Sequence, residues 1–414
     1  MRAKAISVFA VAISLFAFLP SAFAQAEANG ELHGAPYRIR IPANWNGTLL
    51  VHLHGYRDKA DHAGEVDDRS VEAAPGGLAG ENFFLSQGYA IAGTAYRDNG
   101  WAVDEARDDV RALVTFFGDQ FGRPERTILL GFSMGSVVAF DSIERFGGLY
   151  DGVVAGCAVG AGTSRTFGLT ADVMLAYDIA FGMPATLGVP GHVRDDVDFE
   201  TELAPRLFGQ LSNPANFGKF EFIRMVSGFA ASPEFYPGGL FTLMYFSSEG
   251  LAELQRRAGG AVTDNFNHHY SLTSAEKLYL AGLGVNADSL LGSMNARRNI
   301  VADTFARNYL EHNADFSGRI HHPVLTIHTI IDSLVPVSSE HAYAETVARA
   351  RRSDLLVQTY TTGIGHCNFT APQLLTAVRA MDSWLRTGTK PTSANFPAAL
   401  GFAPSFVPPP FRQP

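Results

Sequence analysis

Short runs of apolar and β-branched residues alternate with amphipathic stretches in two separate parts of the chain. This alternation predicts repeated strand–helix–strand units, which pack as a mostly parallel sheet with helices on both faces. The predicted strands are 37–41, 48–53, 89–95, 127–130, 153–159, 324–331 and 355–360. The predicted helices of these parts are 104–121, 136–146, 339–351 and 372–385. The pattern therefore predicts an α/β fold.

The alternation stops between residues 163 and 320. This stretch carries helical patterns that proline and glycine interrupt, and Thr273-Ser-Ala-Glu276 forms a capping box at the start of one helix. A longer helix is predicted over 287–312. We interpret residues 163–320 as an inserted, mainly helical cap, and we expect it to cover the C-terminal edge of the sheet.

The N-terminus has the pattern of an export signal. Arg2 and Lys4 precede the apolar run 5–19, and Ala22-Phe-Ala24 is a small-x-small cleavage site. The run is too short for a typical membrane anchor. We expect cleavage after Ala24 and a secreted or periplasmic protein without stable membrane insertion.

With these signals, the chain is expected to divide into five parts. They are a signal peptide (1–24), the first part of the core (25–162), the cap (163–320), the second part of the core (321–388) and a tail rich in proline and phenylalanine (389–414). The tail contains too much proline for a helix, so it is either extended on the surface or disordered.

Composition excludes several classes of protein. The chain is 46% hydrophobic and 18% charged, which suffices for a large core and excludes a disordered protein. The net charge is -9 and no basic run occurs, so nucleic acid is not an expected partner. The two cysteines, Cys157 and Cys367, cannot form a disulfide-rich scaffold. After export they would either form one disulfide or remain two separate buried thiols.

Gly131-Phe-Ser-Met-Gly135 lies between a predicted strand and a predicted helix. In this context G-x-S-x-G is typical of a nucleophile elbow, in which a tight, strained turn presents the serine hydroxyl at the edge of the sheet. The alternative is a glycine-rich turn with a helix-capping serine. We expect Ser133 to be a nucleophile.

A serine nucleophile needs a base and a group that orients the base. After such an elbow, the acid and then the histidine follow in chain order. Asp332 ends a predicted strand, and His366 lies in a loop between the last strand and the last helix. The other late candidate, Asp354, precedes its strand and would lie at the opposite edge. The alternatives are a turn-forming Asp332 and a surface His366.

The developing oxyanion requires two backbone N–H donors. Met134 follows the nucleophile and is expected to supply one, and Tyr56 in His52-Leu-His-Gly-Tyr56 is expected to supply the other. His52 and His54 lack a third ligand nearby in sequence, so we expect no metal at this position. The pairs His268-His269 and His321-His322 are likewise interpreted as surface or packing residues.

These motifs, in this order, resemble the α/β-hydrolase superfamily over residues 35–162 and 321–388. The resemblance implies that fold, with a cap after the sixth strand. Pro42-Ala-Asn-Trp-Asn-Gly47 also resembles the entry to the core in secreted esterases, including the feruloyl-esterase and tannase group. That group carries cysteine beside the catalytic serine, whereas Phe132 and Met134 flank Ser133 here. Ser133 excludes the relatives with an aspartate nucleophile, the haloalkane dehalogenases and epoxide hydrolases.

Tyr-Arg-Asp occurs at Tyr56-Arg-Asp58 and again at Tyr96-Arg-Asp98, each time just after a predicted strand. Arg57 or Arg97 could bind a substrate carboxylate at the edge of the sheet. Alternatively, both arginines form local ion pairs that order their loops.

Together these features predict a serine hydrolase that cleaves small carboxylic esters without a cofactor. An exopeptidase or an amidase is the nearest alternative, because the same catalytic residues cleave esters and amides. A non-catalytic binding protein on the same fold is a third possibility, which an intact set of catalytic residues disfavours.

Overall fold

The computed structural model describes residues 26–412, so the predicted signal peptide (1–24) lies outside the described residues. The described chain forms an eight-stranded sheet in the order β1-β2-β4-β3-β5-β6-β9-β10. The first pairs, β1–β2 and β2–β4, are antiparallel, and all later pairs are parallel. The strands are β1 (Ala26–Leu32), β2 (Ala35–Ile41), β3 (Thr48–Leu53), β4 (Ala90–Thr94), β5 (Arg126–Phe132), β6 (Gly152–Gly156), β9 (Val324–Ile331) and β10 (Leu356–Ile364). The predicted α/β sheet is confirmed.

Helices cover both faces of this sheet. They are α1 (Gly77–Ser86), α2 (Val103–Phe121), α3 (Met134–Arg145), α12 (Ser338–Arg349) and α13 (Ala371–Thr387). Successive side chains of β3 point to opposite faces. Leu50 packs in the core shared with α1 and α13, and Val51 packs in the core shared with α2, α3 and α12. Two apolar layers therefore enclose a central sheet.

The strand β1 has no counterpart among the predicted elements. Its sequence, Ala-Glu-Ala-Asn-Gly-Glu-Leu, is poor in the β-branched and aromatic residues that favour strands. It forms a strand because it pairs along its whole length with β2, from Ala26 opposite Ile41 to Leu32 opposite Ala35. Pairing across the sheet outweighs weak local preference.

The segment between β6 and β9 is mainly helical. Its helices are α4 (Gly162–Phe181), α5 (Ala204–Leu211), α6 (Phe217–Val226), α7 (Leu240–Phe246), α8 (Glu249–Ala258), α9 (Ser274–Gly282), α10 (Ala287–Ala296) and α11 (Thr304–Asn313). A small hairpin of β7 (Gly188–Val189) and β8 (His192–Val193) lies between α4 and α5. The capping box predicted at Thr273 is present at the start of α9.

The single helix predicted over 287–312 is wrong, because the chain leaves the helix between α10 and α11. Asn265 binds the intervening backbone: its Oδ1 accepts from the N–H of Ile300 at 2.9 Å, and its Nδ2 donates to the carbonyl of Arg297 at 3.3 Å. The backbone N–H of Asn265 also donates to the carbonyl of Ile300 at 3.2 Å. Hydrogen bonds to Asn265, in the loop between α8 and α9, thus replace the backbone hydrogen bonds of a continuous helix.

The tail packs on the edge strand β10. Phe396 and Phe402 are buried, and Phe402 forms an isolated antiparallel bridge with Thr361. Farther along, Arg412 donates to the carbonyl of Met225 on α6 at 2.6 Å. The tail thus connects the sheet with the helical segment. Within residues 26–412, no helix combines the length and the apolar character needed to span a membrane.

Candidate active site

Ser133 occupies a sharp turn between β5 and α3. Its φ of 54° and ψ of −126° are unusual for a residue with a side chain, as expected of a nucleophile elbow. The turn requires glycine on both sides, since a Cβ at Gly131 would clash with the carbonyl of Gly135, and one at Gly135 would clash with that of Leu53. The Ser136 hydroxyl donates to the carbonyl of Ser133 at 2.6 Å and stabilises the turn.

His366 lies against Ser133. Its Nε2 is 2.9 Å from Ser133 Oγ, and its Nδ1 is 2.8 Å from Asp332 Oδ2. Because a carboxylate only accepts, Nδ1 carries the proton and Nε2 is left to accept the serine hydroxyl. The His366 side chain is 21% exposed, so it is open to a ligand from one side.

Asp332 is fully buried directly after β9. Its Oδ1 accepts the backbone N–H groups of Leu334 at 2.8 Å and Val335 at 2.9 Å. Burial by itself would raise the pKa of Asp332, but attraction to His366 and hydrogen bonds from His328 and His366 outweigh it and hold this pKa well below its usual range. Asp332 is therefore ionised and fixed in orientation at neutral pH.

The loop after β3 lies directly beside the serine. A Cβ at Gly55 would be 3.1 Å from the Ser133 Cβ, so only glycine allows this close approach. The His54 ring stacks on Tyr96 with centroids 3.9 Å apart, and the Tyr96 hydroxyl donates to the His54 carbonyl at 3.2 Å. These contacts fix the backbone of the loop at His54, next to Gly55. The assignment of the Tyr56 and Met134 N–H groups to the oxyanion stays a prediction.

His52 and His54 have separate packing roles. Burial lowers the pKa of His52 to about 4 and that of His54 to about 3, so both rings are neutral at pH 7. The His52 Nδ1 contacts the carbonyl of Glu72 at 3.0 Å, and the His54 Nδ1 contacts the carbonyl of Gly55 at 2.7 Å. Each ring thus stabilises the backbone of a different loop.

Arg57 and Arg97 are each held by local partners. The Arg57 guanidinium donates to the carbonyl of Ser70 at 2.6 Å and forms an ion pair with Asp68 at 3.5 Å. Arg97 binds buried Asp109, with Nε 2.8 Å and Nη2 2.6 Å from Oδ1. These contacts favour the interpretation as local ion pairs over a carboxylate-binding role.

The helical segment contacts the same edge of the sheet. Gly239 packs against Ser333, beside Asp332, so closely that a Cβ would clash with it. The Tyr56 hydroxyl is 2.9 Å from the Tyr245 hydroxyl on α7, and Tyr245 donates to Asp58. Sequence analysis missed Tyr245, because only the tertiary structure brings α7 over the loop after β3.

Cys157 and Cys367 form a disulfide, which confirms the first of the two predicted alternatives. Their Cα atoms are 5.0 Å apart, although the residues are separated by 210 positions. Cys157 directly follows β6, and Cys367 directly follows His366. The bond therefore ties the His366 loop to a central strand.

We expect the double variant Cys157→Ala/Cys367→Ala to lose turnover before it loses its fold. A looser His366 loop misplaces the base, and a displacement near 1 Å costs a factor on the order of 10². The measurement compares kcat with thermal unfolding over the same temperature range. A reductant should reproduce the loss in the wild type and have no further effect on the variant. Full turnover in the variant would show that the bond does not position His366.

No family model matches this sequence. The chain is 25% identical over 411 residues to an o-phthalyl amidase from Xanthobacter agilis, with 87% of each sequence covered. Similar solved structures include feruloyl esterase B from Aspergillus oryzae, with 16% identity, a TM-score of 0.42 and coverage of 88% of this chain and 80% of that chain. Tannin acyl hydrolase from Aspergillus niger has 13% identity, a TM-score of 0.39 and coverage of 86% and 76%.

The strand order of this chain identifies its fold. An antiparallel pair at one edge leads into parallel strands, with a crossover between β3 and β4. The carboxyl ends of β5, β9 and β10 lead to Ser133, Asp332 and His366. By this topology, the chain has the α/β-hydrolase fold.

Proposed function

We propose that the protein is a serine hydrolase that cleaves carboxylic esters through an acyl-enzyme. The observation that carries the proposal is the continuous chain of contacts from Ser133 Oγ through His366 to Asp332, with distances of 2.9 and 2.8 Å. A hydroxyl, an imidazole and an oriented carboxylate in this arrangement activate serine as a nucleophile.

In the proposed reaction, Ser133 Oγ bonds to the acyl carbon while His366 Nε2 takes the hydroxyl proton. The Met134 and Tyr56 N–H groups stabilise the oxyanion. When the intermediate collapses, the bond to the leaving alcohol breaks and the alcohol takes the proton from His366. Water then attacks the acyl-enzyme with the same base, which releases the acid and restores Ser133. Asp332 stabilises the imidazolium in both steps.

An amide substrate is the second candidate, and one observation favours it: the relative that covers 87% of this chain is an o-phthalyl amidase. The catalytic geometry does not separate the two reactions, because His366 protonates an amine in the same way as an alcohol. Side chains of the helical segment that contact the substrate would decide whether esters or amides are preferred. Secretion and the removal of residues 1–24 remain part of the proposal.

The test combines covalent labelling with turnover. A fluorophosphonate should label Ser133 in the wild type and fail to label Ser133→Ala. Ser142→Ala is a matched control, since Ser142 is a buried serine on α3, the helix that follows Ser133, and is outside the catalytic contacts. Unlabelled wild-type protein is assayed in parallel with p-nitrophenyl esters of graded acyl length and with the corresponding anilides and phthalamides.

Fast ester hydrolysis supports the proposal, and hydrolysis confined to the amides would favour the amidase. Hydrolysis confined to aminoacyl anilides would favour an exopeptidase. Absence of labelling at Ser133 would overturn the serine mechanism and favour a binding protein.

A further inference from the structure

A second histidine lies behind the candidate catalytic residues. His328, on β9, is fully buried and contacts two carboxylates. Its Nδ1 is 3.1 Å from Glu340 Oε1 on α12, and its Nε2 is 3.5 Å from Asp332 Oδ2. Nε2 also lies 3.1 Å from the carbonyl of Val335. No solvent reaches this ring, so its charge depends on these neighbours alone.

The hydrogen-bond partners determine the protonation of His328. A carbonyl only accepts, so Nε2 must carry a proton toward Val335. On the other side, Glu340 acts as an acceptor: its Oε2 accepts from Thr326 Oγ1 at 2.5 Å and from Gln358 Nε2 at 2.6 Å. Because Glu340 already accepts these two hydrogen bonds, we assign the proton between its Oε1 and Nδ1 to the ring. The ring is an imidazolium with both N–H groups in use.

The pKa of His328 agrees with this assignment. Burial alone would lower it, but the hydrogen bonds with Asp332 and Glu340 and the attraction to both carboxylates outweigh burial and raise it to about 10. The ring therefore keeps its positive charge throughout the physiological range.

The charge of His328 reaches the base through Asp332. Asp332 Oδ2 contacts His366 on one side and His328 on the other. Val335 completes the link, since its N–H donates to Asp332 and its carbonyl accepts from His328. Replacing His328 therefore changes both the orientation of the Asp332 carboxylate and the electrostatic potential at its oxygens.

We propose that His328 is a positioning residue of the catalytic site, whose buried positive charge holds Asp332 in place and weakens the electrostatic pull of that carboxylate on His366. This proposal rests on the proposed function. Asp332 favours the protonated form of His366, and a positive charge 3.5 Å from the same oxygen offsets part of that effect.

Other titratable groups of the described residues lie near His328 or beside its two carboxylate partners. Glu340 and Tyr343 lie on α12, Tyr360 is its register partner on β10, and His366 lies beyond Asp332. Both tyrosines are buried, and burial raises the pKa of each above its ordinary value, so neither changes charge near neutral pH. The pH response near neutrality is thus expected from His366.

The test is His328→Gln, which keeps a hydrogen-bond donor and removes the charge. Without the positive charge, Asp332 acts more strongly on His366, so the acid limb of kcat/KM should move to higher pH by about one unit. NMR titration of the His366 ring should show the same upward shift in the free protein. The matched control is His268→Gln, which removes an imidazole 3.2 Å from buried Asp172 in the helical segment and should leave both measurements unchanged.

Because His328→Gln leaves Glu340 without a charged partner, it can fail to fold. The double variant His328→Gln/Glu340→Gln removes both charges together and should show a smaller upward shift. A His366 titration and an acid limb that match the wild type in a folded variant would overturn the proposal. An upward NMR shift in a protein without hydrolytic activity would retain the positioning role and overturn the proposed function instead.

Discussion

Replacing Ser133 with alanine is expected to lower kcat by a factor on the order of 10⁴–10⁶ and to leave the fold intact. In the proposed mechanism this hydroxyl bonds to the acyl carbon, and it lies 2.9 Å from His366 Nε2. Single-turnover and steady-state rates with an activated ester give the measurement. Circular dichroism and thermal unfolding establish that the variant is folded.

Replacing His366 with alanine should lower kcat by a similar factor. The double variant Ser133→Ala/His366→Ala should have a kcat only slightly lower than that of either single variant. Residues that act as one unit give strongly non-additive losses. Ser142→Ala, on the helix α3 that follows Ser133, should keep wild-type turnover. The mechanism would be refuted if Ser133→Ala kept about one tenth of the wild-type activity, since no rescue of that size fits a lost nucleophile.

Asp332→Asn is expected to lower kcat by a factor on the order of 10⁴ or less. The amide preserves shape but can donate to His366 Nδ1, which favours the tautomer with its proton on Nε2, the atom that must accept from Ser133. The backbone donors of Leu334 and Val335 would still bind the amide oxygen, so the loop should hold. The pH dependence of kcat/KM gives the measurement.

A matched control exists for this variant. Asp354 is exposed and precedes β10, at the opposite edge of the sheet from His366. Asp354→Asn should therefore leave turnover unchanged. Equal losses in the two variants would mean that Asp332 acts through general charge and not through orientation of His366.

Much of the site could be predicted because its signals are local. The glycines around Ser133 indicate a tight turn wherever they follow a strand, and Asp332 and His366 each follow a strand in the second part of the chain. In a parallel sheet the carboxyl ends of strands meet at one edge. The chain order and this rule suffice to expect the three side chains in proximity. The distances themselves required the structure.

Other features left no local signal. His328 belongs to an apolar strand pattern, and nothing in that pattern indicates that Asp332 and Glu340 will lie on two sides of the ring. Tyr245 contacts Tyr56 and Asp58 only because α7 lies over the loop that holds these two residues. Such contacts join residues far apart in sequence, so they depend on how the elements pack.

The sequence by itself determined the periodic elements, the turn at Ser133 and the order of the candidate catalytic residues, because hydrophobic period and turn chemistry act over a few neighbouring residues. The tertiary structure decided the pairing of the weak strand β1, the break between α10 and α11, the disulfide between Cys157 and Cys367, and the contacts of buried His328 with Asp332 and Glu340. Each of these depends on a partner distant in sequence or on complete burial. Local preference is weak there, and the free energy of pairing groups away from water decides the outcome.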